Sequence, residues 1–307
     1  MVETVLEVHN LVKDYGSFRA VDNLSFSLPK GKIVGFLGPN GAGKTTTIQI
    51  LLGITSATSG KISYFGKDFI KNRSDCLQRI NFSSAFNDLL GRITVYENLV
   101  VFAHLYGLKN PKKKIYELLD HFEITSIAHI KYLDLSTGQK TRVNFAKALI
   151  NDPEILLMDE PTASLDPDIA DKTLSMIEDL KKSRELSILY TSHNMDEITR
   201  ICDEVIILDH GRIVAQDTPL GLTKMIPTAQ VRLTFDNTKK VVEEYLDKHE
   251  FTYEFESAHS VLIDTEEKLI PKLIFGISKT DIWITDIDVI KSSLEDVFLH
   301  IARRKKT

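Results

Sequence analysis

Hydrophobic and polar residues alternate in VLEVHNLV (5–12) and AVDNLSFSL (20–28), the period of strands covered on one face. GKIVGFLG (31–38) is apolar almost throughout, as expected of a strand covered on both faces. The pattern then predicts a helix over KTTTIQILLG (44–53), closed by a glycine. INFSSAFNDLL (80–90) reads as a short strand running into a polar loop. From about residue 84 to 150 the chain is mainly helical, at NLVVFAHLYGL (98–108), PKKKIYELLDHF (111–122) and KTRVNFAKALI (140–150). Strand patterns return at EILLMDE (154–160), SILYTSH (187–193) and EVIILD (204–209), with helical segments between. Such alternation predicts a mainly parallel sheet covered by helices. A loose connection at TPLGLTKMIPTAQ (218–230) precedes a tail reading strand, helix, strand, strand, helix, strand, helix. That tail is long enough for a small α+β domain, which sets expected domains of 1–225 and 226–307.

Composition narrows the class. With 307 residues and 43% of them hydrophobic, the chain can bury sizeable cores. A net charge of -5 argues against a nucleic-acid binder, and the basic runs at 112–114 and 303–306 read as solvated surface. Cys76 and Cys202 stand far apart, in no metal-ligand spacing, and fit a reducing compartment. The N-terminal MVETVLEVHN lacks the apolar core of a signal peptide. No segment approaches the ~20 apolar residues of a membrane-spanning helix. The expected location is cytoplasmic, unless a partner holds the chain at a membrane.

Candidate chemistry begins at GPNGAGKTT (38–46), which fits G-x-x-x-x-G-K-[ST] between a predicted strand and a predicted helix. Such a loop needs glycine because its backbone must curl until successive N–H groups point at phosphate oxygens. The loop residues Gly38, Pro39, Asn40, Gly41, Ala42, Gly43, Lys44, Thr45 and Thr46 are therefore candidate nucleotide-binding positions. Lys44 can reach the β- and γ-phosphates, Thr45 can place its hydroxyl on Mg²⁺, and the helix N-terminus favours anions. ILLMDEPTASLD (155–166) delivers Asp159 and Glu160 at the C-terminal end of an apolar strand, where open α/β sheets bind ligands. Asp159 suits the metal's water shell and Glu160 the polarisation of an attacking water. Two carboxylates after a strand are common by themselves; behind a phosphate loop they point to ATP hydrolysis.

LSTGQKTR (135–142), about twenty residues before that pair, resembles the signature of ABC-type ATPases. PTASLD is similar to the D-loop of that family, and SH at 192–193 to its switch histidine. The resemblance covers about residues 3–225. It implies a P-loop ABC-type α/β nucleotide-binding domain with an antiparallel β subdomain and a helical subdomain. It also implies a head-to-tail dimer with two ATP molecules between subunits, each held by one subunit's phosphate loop and the other's signature. Ser136, Gly138 and Gln139 are then nucleotide-binding, with Ser136 and the Gly138 N–H touching the γ-phosphate across the interface. His193 senses the same phosphate from within the subunit, and Tyr15 matches the position that stacks on adenine. Read locally, Ser136 is also a helix cap, and Tyr15 or His193 could serve packing alone.

Two positions depart from the family. Thr137 replaces a glycine in the signature, which implies modest tuning. The strand before ITVYENL (93–99) leads in relatives to a glutamine that touches magnesium, and here that position falls at or beside Ala85. Ser83, Ser84 and Asn87 could orient water instead, with Thr45 and Asp159 still holding Mg²⁺. The interval between phosphate loop and signature has no long heptad arms of a chromosome-maintenance ATPase. Each motif occurs once, unlike in paired-cassette translation factors. The ending SLEDVFLHIARR is similar to the C-terminal extension of the drug- and antibiotic-exporting branch. The expected function is therefore the ATP-hydrolysing subunit of an export-type ABC transporter, paired with a second copy and a membrane permease. The alternative is an ATP-gated regulatory protein of the same family outside transport.

Overall fold

The computed structural model describes residues 3–84, 88–163, 165–236, 238–280 and 282–304. They form two compact units, Met1–Pro219 and Leu220–Thr307. The first unit opens with β1 (Thr4–Tyr15), β2 (Phe18–Pro29), β3 (Ile33–Leu37), α1 (Lys44–Leu51), β4 (Ser59–Tyr64) and β5 (Lys67–Asp68). α2 (Arg73–Gln78), β6 (Ile80–Ser84), α3 (Val95–Leu105), α4 (Pro111–His121) and α5 (Thr137–Ala148) follow. β7 (Ile155–Asp159), α6 (Pro167–Arg184), β8 (Ser187–Ser192), α7 (Met195–Ile201), β9 (Glu204–Asp209) and β10 (Arg212–Asp217) complete it.

Two sheets organise this unit. β2-β1-β4-β5 is antiparallel, and β10-β9-β3-β8-β7-β6 is parallel except for its β10–β9 edge. The fully apolar strand β3 lies centrally, buried at every residue, between β8 and β9. Between the sheets, β1 and β2 residues such as Leu6, Leu24 and Phe26 share one core with Phe36, Ile48 and Leu51. Phe26 and Phe36 meet edge-on at 4.9 Å. Each such buried side chain contributes ~1.5–3 kcal/mol, so the antiparallel sheet is anchored over the strand that carries the phosphate loop. In parallel register Ser84, Asp159 and Thr191 stand abreast at the C-terminal ends of β6, β7 and β8.

The interval between β6 and β7 is helical, as its periodicity predicts. Thr94 caps α3 and Ser136 caps α5, each in a reciprocal capping box with Glu97 and Gln139 respectively. Pro111 opens α4. Ala85 and Asn87 lie outside the described residues, so the glutamine-equivalent position has no structural account.

α8 (Pro219–Thr223) occupies part of the stretch expected to be a loose connection, and the next strand begins at Thr228. The second unit continues with β11 (Thr228–Phe235), α9 (Lys239–Lys248), β12 (Thr252–Phe255), β13 (Ser260–Glu266), α10 (Ile270–Ile277), β14 (Ile284–Lys291) and α11 (Leu294–Arg304). This is the expected order of strands and helices. The strands pair antiparallel as β12-β13-β11-β14, with α9 and α10 contributing to a core around Val231, Leu233 and Ile263. On the opposite face Arg232 bridges Glu256 at 2.8 Å and Asp288 at 3.1 Å.

Candidate nucleotide-binding and catalytic site

The turn from β3 into α1 is built on Gly38 and Gly43, which no other residue can replace without movement. Gly43 has φ +98°, and a Cβ there would lie 2.5 Å from the Ala20 carbonyl oxygen. A Cβ on Gly38 would meet the Leu208 carbonyl oxygen at 2.4 Å. The first i to i−4 bond of α1 runs from Thr47 N to Gly43 O at 2.9 Å. The amides of Lys44, Thr45 and Thr46 are thus outside the helical ladder and free to receive phosphate oxygens. Residues Pro39, Asn40, Gly41, Ala42, Gly43, Lys44, Thr45 and Thr46 line a cavity of about 170 Å³ together with Phe18, Ala20 and Glu160. A larger cavity of about 400 Å³, with Lys30, Glu154 and Ser187 on its wall, lies at the N-terminal ends of β7 and β8. Ligands of open α/β sheets bind at the opposite edge.

Lys44 is almost fully buried and folds back on its own loop. Its Nζ donates to the Gly38 carbonyl at 2.6 Å and to the Pro39 carbonyl at 3.2 Å, with Glu160 Oε1 at 3.7 Å. Burial pushes its pKa below the usual lysine range, and the Glu160 and Asp159 carboxylates oppose that shift. Asp159 Oδ1 accepts a 2.6 Å hydrogen bond from Thr191 Oγ1. The Glu160 N–H donates to both the carbonyl and the hydroxyl oxygen of Thr191 at 3.1 Å. Those bonds help hold Glu160 in the left-handed region, at φ +49°, an uncommon conformation for a non-glycine residue. Glu160 Oε2 then lies 3.2 Å from His193 Nδ1, and the imidazole is 62% exposed.

Not every residue singled out in the sequence comes to this cavity. Tyr15 ends β1 half-exposed, with the Lys13 ammonium 4.7 Å from its ring centre. The aromatic ring on the cavity wall is that of Phe18, its register partner across the β1–β2 hairpin. Phe18 was missed because the alternation that marks β2 starts two residues later; a second aromatic three residues after Tyr15 was the available signal. Thr191 was also missed, hidden inside an apolar strand. Ser136, Gly138 and Gln139 line a separate cavity of about 280 Å³, beside Ile169 and Thr173. There the Ser136 amide donates to Gln139 Oε1 at 3.0 Å, and Thr137 is exposed in the first turn of α5. Ser83 is buried and lines a fourth cavity with Phe102 and Lys147, away from the phosphate loop.

Magnesium fits the residues present. Thr45 lies exposed on the cavity wall, and Asp159 is a hard oxygen donor with only one of its oxygens engaged by Thr191. Among the described residues no three His, Cys, Asp or Glu side chains form a metal cluster. Magnesium suits that arrangement, since it binds one or two protein oxygens plus phosphates and water in place of an all-protein cage.

Residues 21–163 match the ABC transporter family. The bacitracin transport ATP-binding protein BcrA of Bacillus licheniformis is 33% identical over 306 residues, covering 98% of each chain. This chain belongs to the ABC transporter ATP-binding family. The linearmycin resistance ATP-binding protein LnrL of Bacillus subtilis is 31% identical, covering 98% of this chain and 99% of its own. Among solved structures, cbiO1 from Clostridium perfringens, part of the ABC transporter complex cbiONQ, superposes with a TM-score of 0.65. It is 25% identical, over 80% of this chain and 95% of its own. The ABC-type α/β fold expected from the motifs is therefore the observed one, and the enzyme is an ATPase of that family.

Proposed function

We propose that this ABC ATPase is the motor subunit of an exporter, working as a dimer on a separate membrane permease. The observation that carries the reading is the meeting of Glu160, Lys44 and His193 at the mouth of the phosphate-loop cavity. ATP enters with its phosphates against the amides of Lys44, Thr45 and Thr46 and exchanges its charge for the carbonyls that now hold Lys44. Glu160 accepts a hydrogen bond from the attacking water and orients it toward the γ-phosphorus, while His193 contacts the γ-phosphate. Magnesium, held by Thr45 and Asp159 with water, supplies neutralisation of phosphate charge when bound. Phe18 forms the aromatic side of the base site, with Tyr15 beside it across the β1–β2 hairpin.

The separation of the signature cavity from the phosphate-loop cavity supports the sandwich reading. In a head-to-tail pair Ser136, Gly138 and Gln139 would meet the nucleotide of the facing subunit. No described helix is long and apolar enough to cross a membrane, which favours a separate permease. Val101 and Leu105, one turn apart on α3, are both exposed, and we assign the permease contact to this side of the helical subdomain. Export is favoured by likeness to bacitracin-transport and linearmycin-resistance subunits along the whole chain, including the second unit.

The Glu160→Gln variant tests this. ATP turnover should fall by about 10²–10⁴-fold, and light scattering should find an ATP-dependent dimer in the presence of magnesium. A variant that hydrolyses ATP at nearly the wild-type rate, or stays monomeric with its permease and excess ATP, would overturn the reading.

A further inference from the structure

A second carboxylate, unused in the reaction just described, lies beneath the catalytic loops. Glu197, in α7, is 7% exposed and aims its side chain inward. Its Oε2 accepts three hydroxyl hydrogen bonds, from Thr162 Oγ1 at 2.8 Å, Tyr190 OH at 2.9 Å and Ser192 Oγ at 2.9 Å. A buried carboxyl group is costly unless hydrogen-bonded, and three hydroxyl donors on one oxygen satisfy it. The sequence positions of the donors are informative. Thr162 follows Glu160 by two residues, and Ser192 immediately precedes His193. One oxygen atom therefore ties the loop that carries Glu160 to the end of β8, one residue before His193, and the Glu160 and His193 side chains meet 3.2 Å apart.

We propose that Glu197 is a positioning residue for ATP hydrolysis, setting the approach of Glu160 to His193 through Thr162 and Ser192. The proposal rests on the roles given above to Glu160 and His193. Glu197 touches neither of them directly, so its effect is on alignment. A purely structural network would instead lose stability alike with any of its three donors. Tyr190 supplies the distinction, because it bonds the same oxygen from deeper in β8 and is a sequence neighbour of neither Glu160 nor His193.

The experiment is steady-state ATPase of the full chain with its permease, alongside nucleotide affinity and melting temperature. Glu197→Gln should lower kcat by about 10–100-fold, the scale of a small misalignment of reacting groups, with ATP affinity nearly unchanged. Thr162→Val, which keeps side-chain shape and serves if Glu197→Gln folds poorly, should lower kcat severalfold, and Ser192→Ala likewise. Tyr190→Phe should lower the melting temperature and leave kcat near wild type. Glu197→Gln combined with His193→Ala should cost much less than the product of the single effects, since both act on one alignment. The proposal is overturned by wild-type kcat in Glu197→Gln or Thr162→Val, by an equal kcat loss in Tyr190→Phe, or by multiplying effects. An active Glu160→Gln enzyme would instead sink the underlying catalytic assignment, so the two failures are distinguishable.

Discussion

Replacing Thr191 by valine removes one hydroxyl and little volume, yet that hydroxyl serves both acidic residues of the site. It donates to Asp159 Oδ1 at 2.6 Å and accepts from the Glu160 N–H at 3.1 Å. A hydrogen bond to a charged group contributes ~1.5–3 kcal/mol. Asp159 is only partly buried and can regain water, and the Glu160 N–H keeps its bond to the Thr191 carbonyl. The added methyl returns ~0.8 kcal/mol of apolar burial. The net loss should be ~1–2 kcal/mol, which lowers the melting temperature of a unit of this size by ~2–8 °C. Calorimetry is the suitable assay, because the single tryptophan, Trp283, lies in the second unit and reports on that unit. Looser carboxylates should also reduce kcat by about tenfold. A Thr191→Val enzyme with unchanged melting and wild-type turnover would refute the idea that this hydroxyl aligns the pair.

Two further outcomes follow from other parts of the molecule. Phe18→Ala should raise the ATP concentration needed for half-maximal hydrolysis more than Tyr15→Ala does, since the Phe18 ring lines the phosphate-loop cavity; equal effects in a titration would count against that assignment. Lys147 donates to the Phe82 carbonyl at 3.0 Å, and burial pushes its pKa down to about 8. Between about pH 8 and 10 the unfolded chain binds the extra proton, so wild-type stability should rise with pH relative to Lys147→Met, by up to ~3 kcal/mol. Urea midpoints of the two proteins at pH 7.5 and 9.5 check this, and parallel changes would exclude it.

The elements visible in the sequence were those with a long period or a uniform face. GKIVGFLG gave β3, ILLMD gave β7, and the tail's seven elements appear in the order read from alternation alone. β5 is two residues long, β4 is largely exposed, and the edge strand β10 has no buried residue, so none carries a hydrophobic pattern worth the name. The order β12-β13-β11-β14 depends on pairing between segments far apart in the chain, which local periodicity does not encode. The phosphate loop and the Asp159–Glu160 pair were legible because their residue types are fixed by chemistry. Thr191 and Glu197 were not, because a hydroxyl inside an apolar strand and an acidic residue in a first helical turn look ordinary until their partners are seen.

The way Lys44 lies against the Gly38 and Pro39 carbonyls bears on how quickly the motor can be reloaded. Its long side chain is buried and tied to two carbonyls of its own loop, so little rotamer freedom would be lost when it binds a phosphate. Exchange becomes a swap of oxygen partners at a fixed ammonium, and the release of spent nucleotide lets the lysine settle back on its own backbone.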